Sequence, residues 1–376
     1  MIFLRKIIFA VIILALQFAN LSAKALEVSA TSAVLIDAKT GQVLYEKNAY
    51  ERRGMASTTK IMTAICALEN ANLSDTVTVS KKAAYQEGSS IYLLEGEKIK
   101  MEDLLYGLML NSGNDAAVAI AEHVSGSVEE FAKLMTKKAE EIGAKNTQFK
   151  NPSGLDEEGH YTTAYDLALI SRYALSNPDF KTIVSTKRKT IPNHMTGIDR
   201  YLKNHNKMLF NYEGATGIKT GFTKKTGRCL VTSAQKDGQE LIAVTLNAPD
   251  DWRDHTNMLN YGFSVCKKVN VLKKDDLAGF ARVIGGTEKK IEAYIKEDLD
   301  IFLKDGVLDK VKVEYKINDL PAPVAYGDSA GEAIVLYNDE IIERVPLYVK
   351  ENVEKTIIYT FWDNLKKVLG YYFVKI

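Results

Sequence analysis

The sequence predicts an α+β fold: an antiparallel sheet flanked by helices, then a small β-rich domain and a C-terminal amphipathic helix. Three patterns lead there. Strand-like runs stand at both ends of the stretch that closes near Gly262, with helix-period runs between them. Short alternating runs dominate after it. The last segment, residues 358–376, repeats apolar residues at helical spacing.

Val34-Leu35-Ile36 and Val43-Leu44-Tyr45 flank the turn Asp37-Ala38-Lys39-Thr40-Gly41 and read as a hairpin. Residues 57–69 read as a helix, with Ile61, Met62, Ile65, Cys66 and Leu68 at its spacing. Residues 101–110 and 116–124 form two more, broken at Asn111-Ser112-Gly113-Asn114. Further helices are expected over 131–142 and 163–175, the second stopped by Asn177-Pro178. Residues 230–234 and 241–246 make a second hairpin, and the terminal strands are expected to meet in one sheet. After it, residues 311–315 alternate, and 333–337 and 341–345 flank the turn Asn338-Asp339.

The chain has 376 residues, enough for two domains. With 46% apolar and 26% charged residues, a sizeable core is expected rather than disorder. The 49 basic residues balance 48 acidic ones, and no block of like charge stands out, which argues against a nucleic-acid partner. Residues 1–25 read as a signal peptide: Arg5 and Lys6 precede an apolar run, and Ala23-Lys24-Ala25 offers a cleavage site after Ala23 or Ala25. The other reading is an uncleaved anchor. Either way the bulk lies outside the cytoplasm. The expected division is 26–264, a β-rich 265–352, and the helix 353–376.

In that helix Ile358, Phe361, Trp362, Leu365, Val368, Leu369, Tyr372, Phe373 and Ile376 share one stripe; Asp363, Asn364, Lys366 and Lys367 share the other. The pattern fits a helix lying in a membrane surface, and its lysines argue against spanning. The alternative is docking on its own domain. Cys66, Cys229 and Cys266 are odd in number and widely spaced, and read as buried free thiols. The five histidines show no metal-ligand spacing, so neither metal nor cofactor is expected.

Three short motifs occur in order: Ser57-Thr58-Thr59-Lys60 (S-x-x-K), Ser112-Gly113-Asn114 (S-x-N) and Lys219-Thr220-Gly221 (K-T-G). Singly each is weak. S-x-x-K recurs at Ser233 and Ser264, and K-T-G at Lys39 and Lys225. Only Ser57 opens a helix, where residues three apart are neighbours. A serine hydroxyl needs a base, and Lys60 serves if burial and a nearby cation such as Lys219 keep its amine neutral. The bland reading of Ser57 is an N-cap. Ser112 and Asn114 fit proton relay and amide binding; their bland reading is a helix–helix turn with Asn114 or Asp115 as cap. Residues 217–223 fit an extended edge whose lysine and threonine bind a carboxylate. Lys39 and Lys225 read as turns.

The chain resembles the low-molecular-mass penicillin-binding proteins, serine D-alanyl-D-alanine carboxypeptidases of peptidase family S11. The likeness is carried by VLIDAKTGQVLYE (34–46), STTKIMTA (57–64), LMLNSGNDAA (108–117), NPSGLDEEGHYTTAYD (151–166), GIKTGFT (217–223) and LNYGF (259–263), over nearly the whole chain past residue 25. It implies a β-lactamase/transpeptidase-like domain. It implies that Ser57 is acylated by the penultimate D-Ala of a peptidoglycan stem peptide, with Lys60 as base and Ser112 and Asn114 assisting. Lys219 and Thr220 of the third motif, with Gly221, would hold the terminal carboxylate, and the N–H groups of Ser57 and Phe222 would form the oxyanion hole. β-Lactam antibiotics would be covalent inhibitors. The family's further arginine has Arg253 as its nearest candidate, close to Gly262 for the role. Three rivals remain: a β-lactamase, for which only Glu157 and Glu158 lie in a suitable loop; a D,D-endopeptidase using the same residues; and a non-catalytic wall-binding protein, which would not need three intact motifs.

Overall fold

The computed structural model describes residues 26–373, with side chains of the last helix through Lys366. The leader reading of residues 1–25 and the end of the apolar stripe lie outside the described residues. Strands β1 (Ser32–Asp37) and β2 (Val43–Lys47) form the expected hairpin. The strands β3 (Ala215–Thr223), β4 (Gly227–Lys236) and β5 (Gln239–Leu246) complete an antiparallel sheet in the order β2-β1-β5-β4-β3. β1 lies beside β5, with Val34 opposite Val244, so the two ends of this region meet as anticipated. β3 is an edge strand.

Side chains alternate across the sheet. Val34, Ile36, Val231 and Val244 face one core; Ala33, Leu35, Leu230 and Ala243 face another. The first core holds the helices α1 (Lys60–Asn70), α2 (Met101–Leu110), α3 (Asn114–Ser125), α4 (Val128–Ile142), α5 (Ala164–Ala174) and α6 (Pro178–Ser185). α1 is buried from Lys60 through Ala67, so it is the centre of the helical layer. Local chemistry sets the boundaries. Ser127 and Thr163 cap α4 and α5 by accepting from the N–H groups of Glu130 and Asp166, and Asn177-Pro178 opens α6.

The opposite face is covered by α7 (Asp251–Val265), which the sequence pattern did not reveal. Its inward face mixes Met258 and Leu259 with buried Asp254 and His255, which blurs the apolar period. Asp254 accepts from the N–H groups of Ser29 and Ala30, at 2.8 and 3.0 Å, and so ties the segment before β1 to this helix. Two short ribbons, Thr76–Thr78 with Lys98–Lys100 and Arg188–Ile191 with Arg200–Lys203, decorate the helical side.

From Cys266 to Val349 the secondary structure is strand, in keeping with the β-rich domain expected there. β6 (Cys266–Leu272) pairs with β9 (Leu299–Lys304). The remaining strands β7 (Leu277–Ile284), β8 (Lys290–Ile295), β10 (Val311–Ile317), β11 (Leu320–Pro321), β12 (Ser329–Tyr337) and β13 (Glu340–Val349) form a sheet in the order β10-β12-β13-β8-β7-β11. The turn Asn338-Asp339 has positive φ at both residues, the geometry a tight hairpin needs. The last helix, α8 (Ile357–Phe373), leaves this domain at Gly285, whose carbonyl accepts from the Thr356 N–H at 2.9 Å. Ile357, Ile358, Phe361 and Trp362 are exposed on it. Among the described residues no helix is long and apolar enough to cross a membrane. Cys66 and Cys229 are buried free thiols, whereas Cys266 is only half-buried, at the junction of α7 and β6.

Candidate active site

The helix expected from residue 57 begins instead at Lys60, and Ser57 sits in the preceding turn of 3-10 helix, Ala56–Thr59. Neither helix start has a side-chain cap, so Ser57 is not the N-cap of the bland reading. Its Oγ lies 3.1 Å from the Lys60 amine. That amine also reaches Asn114 Oδ1 at 2.7 Å and the carbonyl of Ser153 at 2.5 Å. Residues three apart meet here because the backbone is already winding.

Lys60 is fully buried, and burial, then the positive charge of Lys219, hold its amine well below the ordinary lysine range; Asp115 opposes them. Lys219 is buried as well, and burial pushes it down to about 7. Its amine donates to the Thr220 carbonyl at 3.0 Å. No carboxylate contacts Ser57 or Lys60 among the described residues.

Lys219, Thr220 and Gly221 lie on edge strand β3. A Cβ on Gly221 would meet the backbone nitrogens of Ser57 and Thr58 at 3.0 and 3.1 Å. Glycine lets strand and turn pack backbone to backbone there, which brings the Ser57 N–H beside the strand that carries Phe222. The phenyl group of Phe222 is exposed.

Ser112 lies between α2 and α3 in a left-handed backbone conformation, φ 62°. It is buried, and its hydroxyl has no partner among the described residues. A buried orphan hydroxyl costs about 1–3 kcal/mol. The strain and the orphan coincide at one residue, the pattern of a group kept for a ligand. Asn114 is engaged at both ends of its amide: Oδ1 accepts from Lys60, and Nδ2 donates to the Glu87 carbonyl at 2.6 Å. Asp115 Oδ1 accepts from the Ala116 N–H in the first turn of α3 at 2.9 Å. The carboxylate also accepts from the N–H groups of Ile91 and Leu93 and from Ser90 Oγ, and pins loop 87–93 beside the site.

The duplicate motifs lie elsewhere. Ser233 is in β4 and bonds Thr216 at 2.7 Å; Ser264 is in α7 and donates to the Tyr261 carbonyl. Lys39-Thr40-Gly41 forms the β1–β2 turn, pinned by Asp37, and Lys225 stands in the β3–β4 turn. Arg253 is largely exposed on α7 and pairs with Asp250 at 3.0 Å.

Loop 151–163 contributes what residue reading alone did not show. Its Ser153 carbonyl holds Lys60, and Pro152 O accepts from Thr63 Oγ1 at 2.7 Å. Buried His160 accepts at Nδ1 from the Lys150 N–H at 3.0 Å, so its Nε2–H donates to Thr59 Oγ1 at 2.8 Å. Burial pushes this imidazole down to about 4. Gly154 seats the loop: a Cβ there would come within 1.9 Å of Ala56 O. A cavity of about 410 Å³ opens between this loop, Met55, Ala56 and the Lys225-Thr226 turn.

Residues 19–250 match the Peptidase S11 family, D-alanyl-D-alanine carboxypeptidase, and residues 267–355 match the penicillin-binding protein 5 C-terminal domain. D-alanyl-D-alanine carboxypeptidase DacF of Bacillus subtilis is 39% identical over 316 residues, 81% of each chain. This chain belongs to the S11 family. It is a serine D-alanyl-D-alanine carboxypeptidase. DacD of Escherichia coli is 31% identical over 324 residues, covering 81% of this chain and 82% of that one. The crystal structure of penicillin binding protein 5 from Haemophilus influenzae superimposes with a TM-score of 0.65 at 29% identity, over 88% of this S11 chain and 98% of that one. The two-part α+β architecture is therefore the family's own.

Proposed function

We propose that this peptidase removes the terminal D-Ala of peptidoglycan stem peptides through an acyl-enzyme on Ser57. The observation that carries this reading is the set of neighbours of the Lys60 amine. Asn114 Oδ1 and Ser153 O can only accept, so they take its two N–H groups when it is neutral. The lone pair is then left for the Ser57 hydroxyl at 3.1 Å. Lys60 takes the Ser57 proton as Oγ bonds to the penultimate D-Ala carbonyl carbon. The N–H groups of Ser57 and Phe222 receive the oxyanion. When the intermediate collapses, the C–N bond breaks, and the proton passes from Lys60 through Ser112 to the departing amine. Lys219 and Thr220 hold the terminal carboxylate beside Gly221. Water then attacks the ester, giving its proton to Lys60; the acyl C–Oγ bond breaks, and Lys60 returns that proton to Ser57 Oγ.

The absence of a carboxylate at Ser57 and Lys60 among the described residues supports slow deacylation, against the β-lactamase alternative. Glu157 bonds Asn151 instead. Residues 26–264 would form the peptidase unit and 265–352 a second unit. The exposed Ile357, Ile358, Phe361 and Trp362 support a helix that rests in the outer face of the membrane, with residues 1–25 as export signal. Release of D-Ala from a D-Ala-D-Ala pentapeptide, measured beside a cross-linked dimer, tests the substrate. Preferential cleavage of the dimer would move the assignment to endopeptidase.

A further inference from the structure

The ribbon Arg188–Ile191 with Arg200–Lys203 carries an arrangement that folding alone disfavours. Arg188 and Lys203 stand directly opposite each other in its ladder. Like charges in that relation repel. Lys187 adjoins them, and all three cations gather around one half-exposed ring, Phe210, at 5.7, 6.0 and 5.6 Å from its centroid for Lys187, Arg188 and Lys203. One cation over a ring is a favourable pair; three sharing it also repel one another. Among the described residues none of the three forms an ion pair.

The backbone beneath the cluster is anchored to neighbouring elements. Asn204 donates to the carbonyls of Val184 and Thr186, and the Lys203 N–H donates to Asn111 Oδ1 at 3.2 Å. The His205 N–H donates to Leu110 O at 3.1 Å. Asn111 and Leu110 end α2, next to Ser112, so the cations stand at the rim of the cleft.

We propose that Lys187, Arg188 and Lys203 form an oxyanion-recognition site that takes a carboxylate or phosphate of the anionic wall polymer while its stem peptide occupies the cleft. Only the identity of the ligand rests on the wall-enzyme reading. A forked guanidinium flanked by two ammonium groups suits either oxyanion, and an occupied site removes the repulsion that the empty cluster carries.

The test is retention of the full chain on two preparations of sacculi from a bacterium with wall-attached phosphodiester polymer: intact, and stripped of that polymer with hydrofluoric acid. The Lys187→Gln/Arg188→Gln/Lys203→Gln variant should bind at least about tenfold more weakly at low salt, and wild-type retention should fall as salt rises. Loss of wild-type binding on stripping assigns the phosphate; persistence assigns carboxylates. Equal retention of variant and wild type on both preparations overturns the proposal, whatever the variant's melting temperature. Should the triple variant fail to fold, Lys187→Gln against Lys187→Arg makes the same comparison, with only the charge-keeping change expected to preserve binding. Benzylpenicillin acylation on the same samples reports the cleft separately, so a failed Ser57 mechanism is visible apart from a failed rim site.

Discussion

A charged ammonium at Lys60 would be surrounded by protein on every side, with Lys219 as a second cation and, among the described residues, no carboxylate in contact. The neutral amine is the form this environment favours, and it is the form that can take a proton from Ser57. Replacing Lys60 with Met should lower benzylpenicillin acylation about 10²–10⁴-fold, the usual worth of a positioned base; stopped-flow or mass spectrometry measures it. Acylation by the wild type should rise with pH as Lys60 loses its proton, and reach its plateau below the ordinary lysine value of 10.5. Lys219 carries a stability cost. Its pKa is about 7 when folded and near 10.5 when unfolded, so between those values the unfolded chain binds more protons and stability increases with pH. The cost is full below about 7. Lys219→Met should therefore be more stable to urea than wild type at pH 6, by the order of a few kcal/mol, with the gap closing toward pH 10.5. A variant equal to wild type at both pH values would contradict the burial account.

At the scale of elements, loop 151–163 and the nucleophile's turn act as one piece. Gly154 has φ 86° and no room for a side chain, so Gly154→Ala should displace the Ser153 carbonyl from Lys60. Acylation should fall at least about tenfold while the far-ultraviolet circular dichroism stays native. Much of this level was legible in the sequence. The hairpins, and helices such as Met101–Leu110, follow the apolar period, and the three motifs supplied Ser57, Lys60 and Asn114, which meet, and Gly221, which packs on the Ser57 turn. Legibility failed where structure rests on something other than side-chain period. α7 hides behind buried Asp254 and His255. Lys60 is held partly by the backbone carbonyl of Ser153, which no residue type announces. Asn114 reads as a substrate-binding amide, yet Lys60 and Glu87 O engage both its ends here.

Across the whole molecule, two buried imidazoles oppose stability in acid. Burial holds His160 at about 4 and His255 at about 3, both below the ordinary 6.5. Between those values and 6.5 the unfolded chain binds the extra protons, so stability is lost as pH falls through this window. The urea midpoint should decline from pH 6.5 to 4, and His255→Gln should flatten the decline. The two folded units also touch: Arg172 bonds the Ala38 and Lys39 carbonyls and Glu340, and Lys39 pairs with Glu343. Surface ion pairs are worth little singly, but the Lys304 N–H also donates to Gln42 Oε1 at 2.8 Å across the same junction, and α7 runs directly into β6. The proposed membrane contact belongs to this scale. Truncation after Val353 should release the protein from anionic lipid vesicles in a flotation assay, and equal flotation of both forms would sink the anchor.

The central claim is that Ser57 forms the acyl-enzyme, and the direct test is an intact mass after incubation with benzylpenicillin, beside Ser57→Ala. The wild type should carry a stable adduct of one drug molecule and the variant none. An adduct that survives in Ser57→Ala, or a wild type that stays unmodified with the penicillin intact, would contradict the claim.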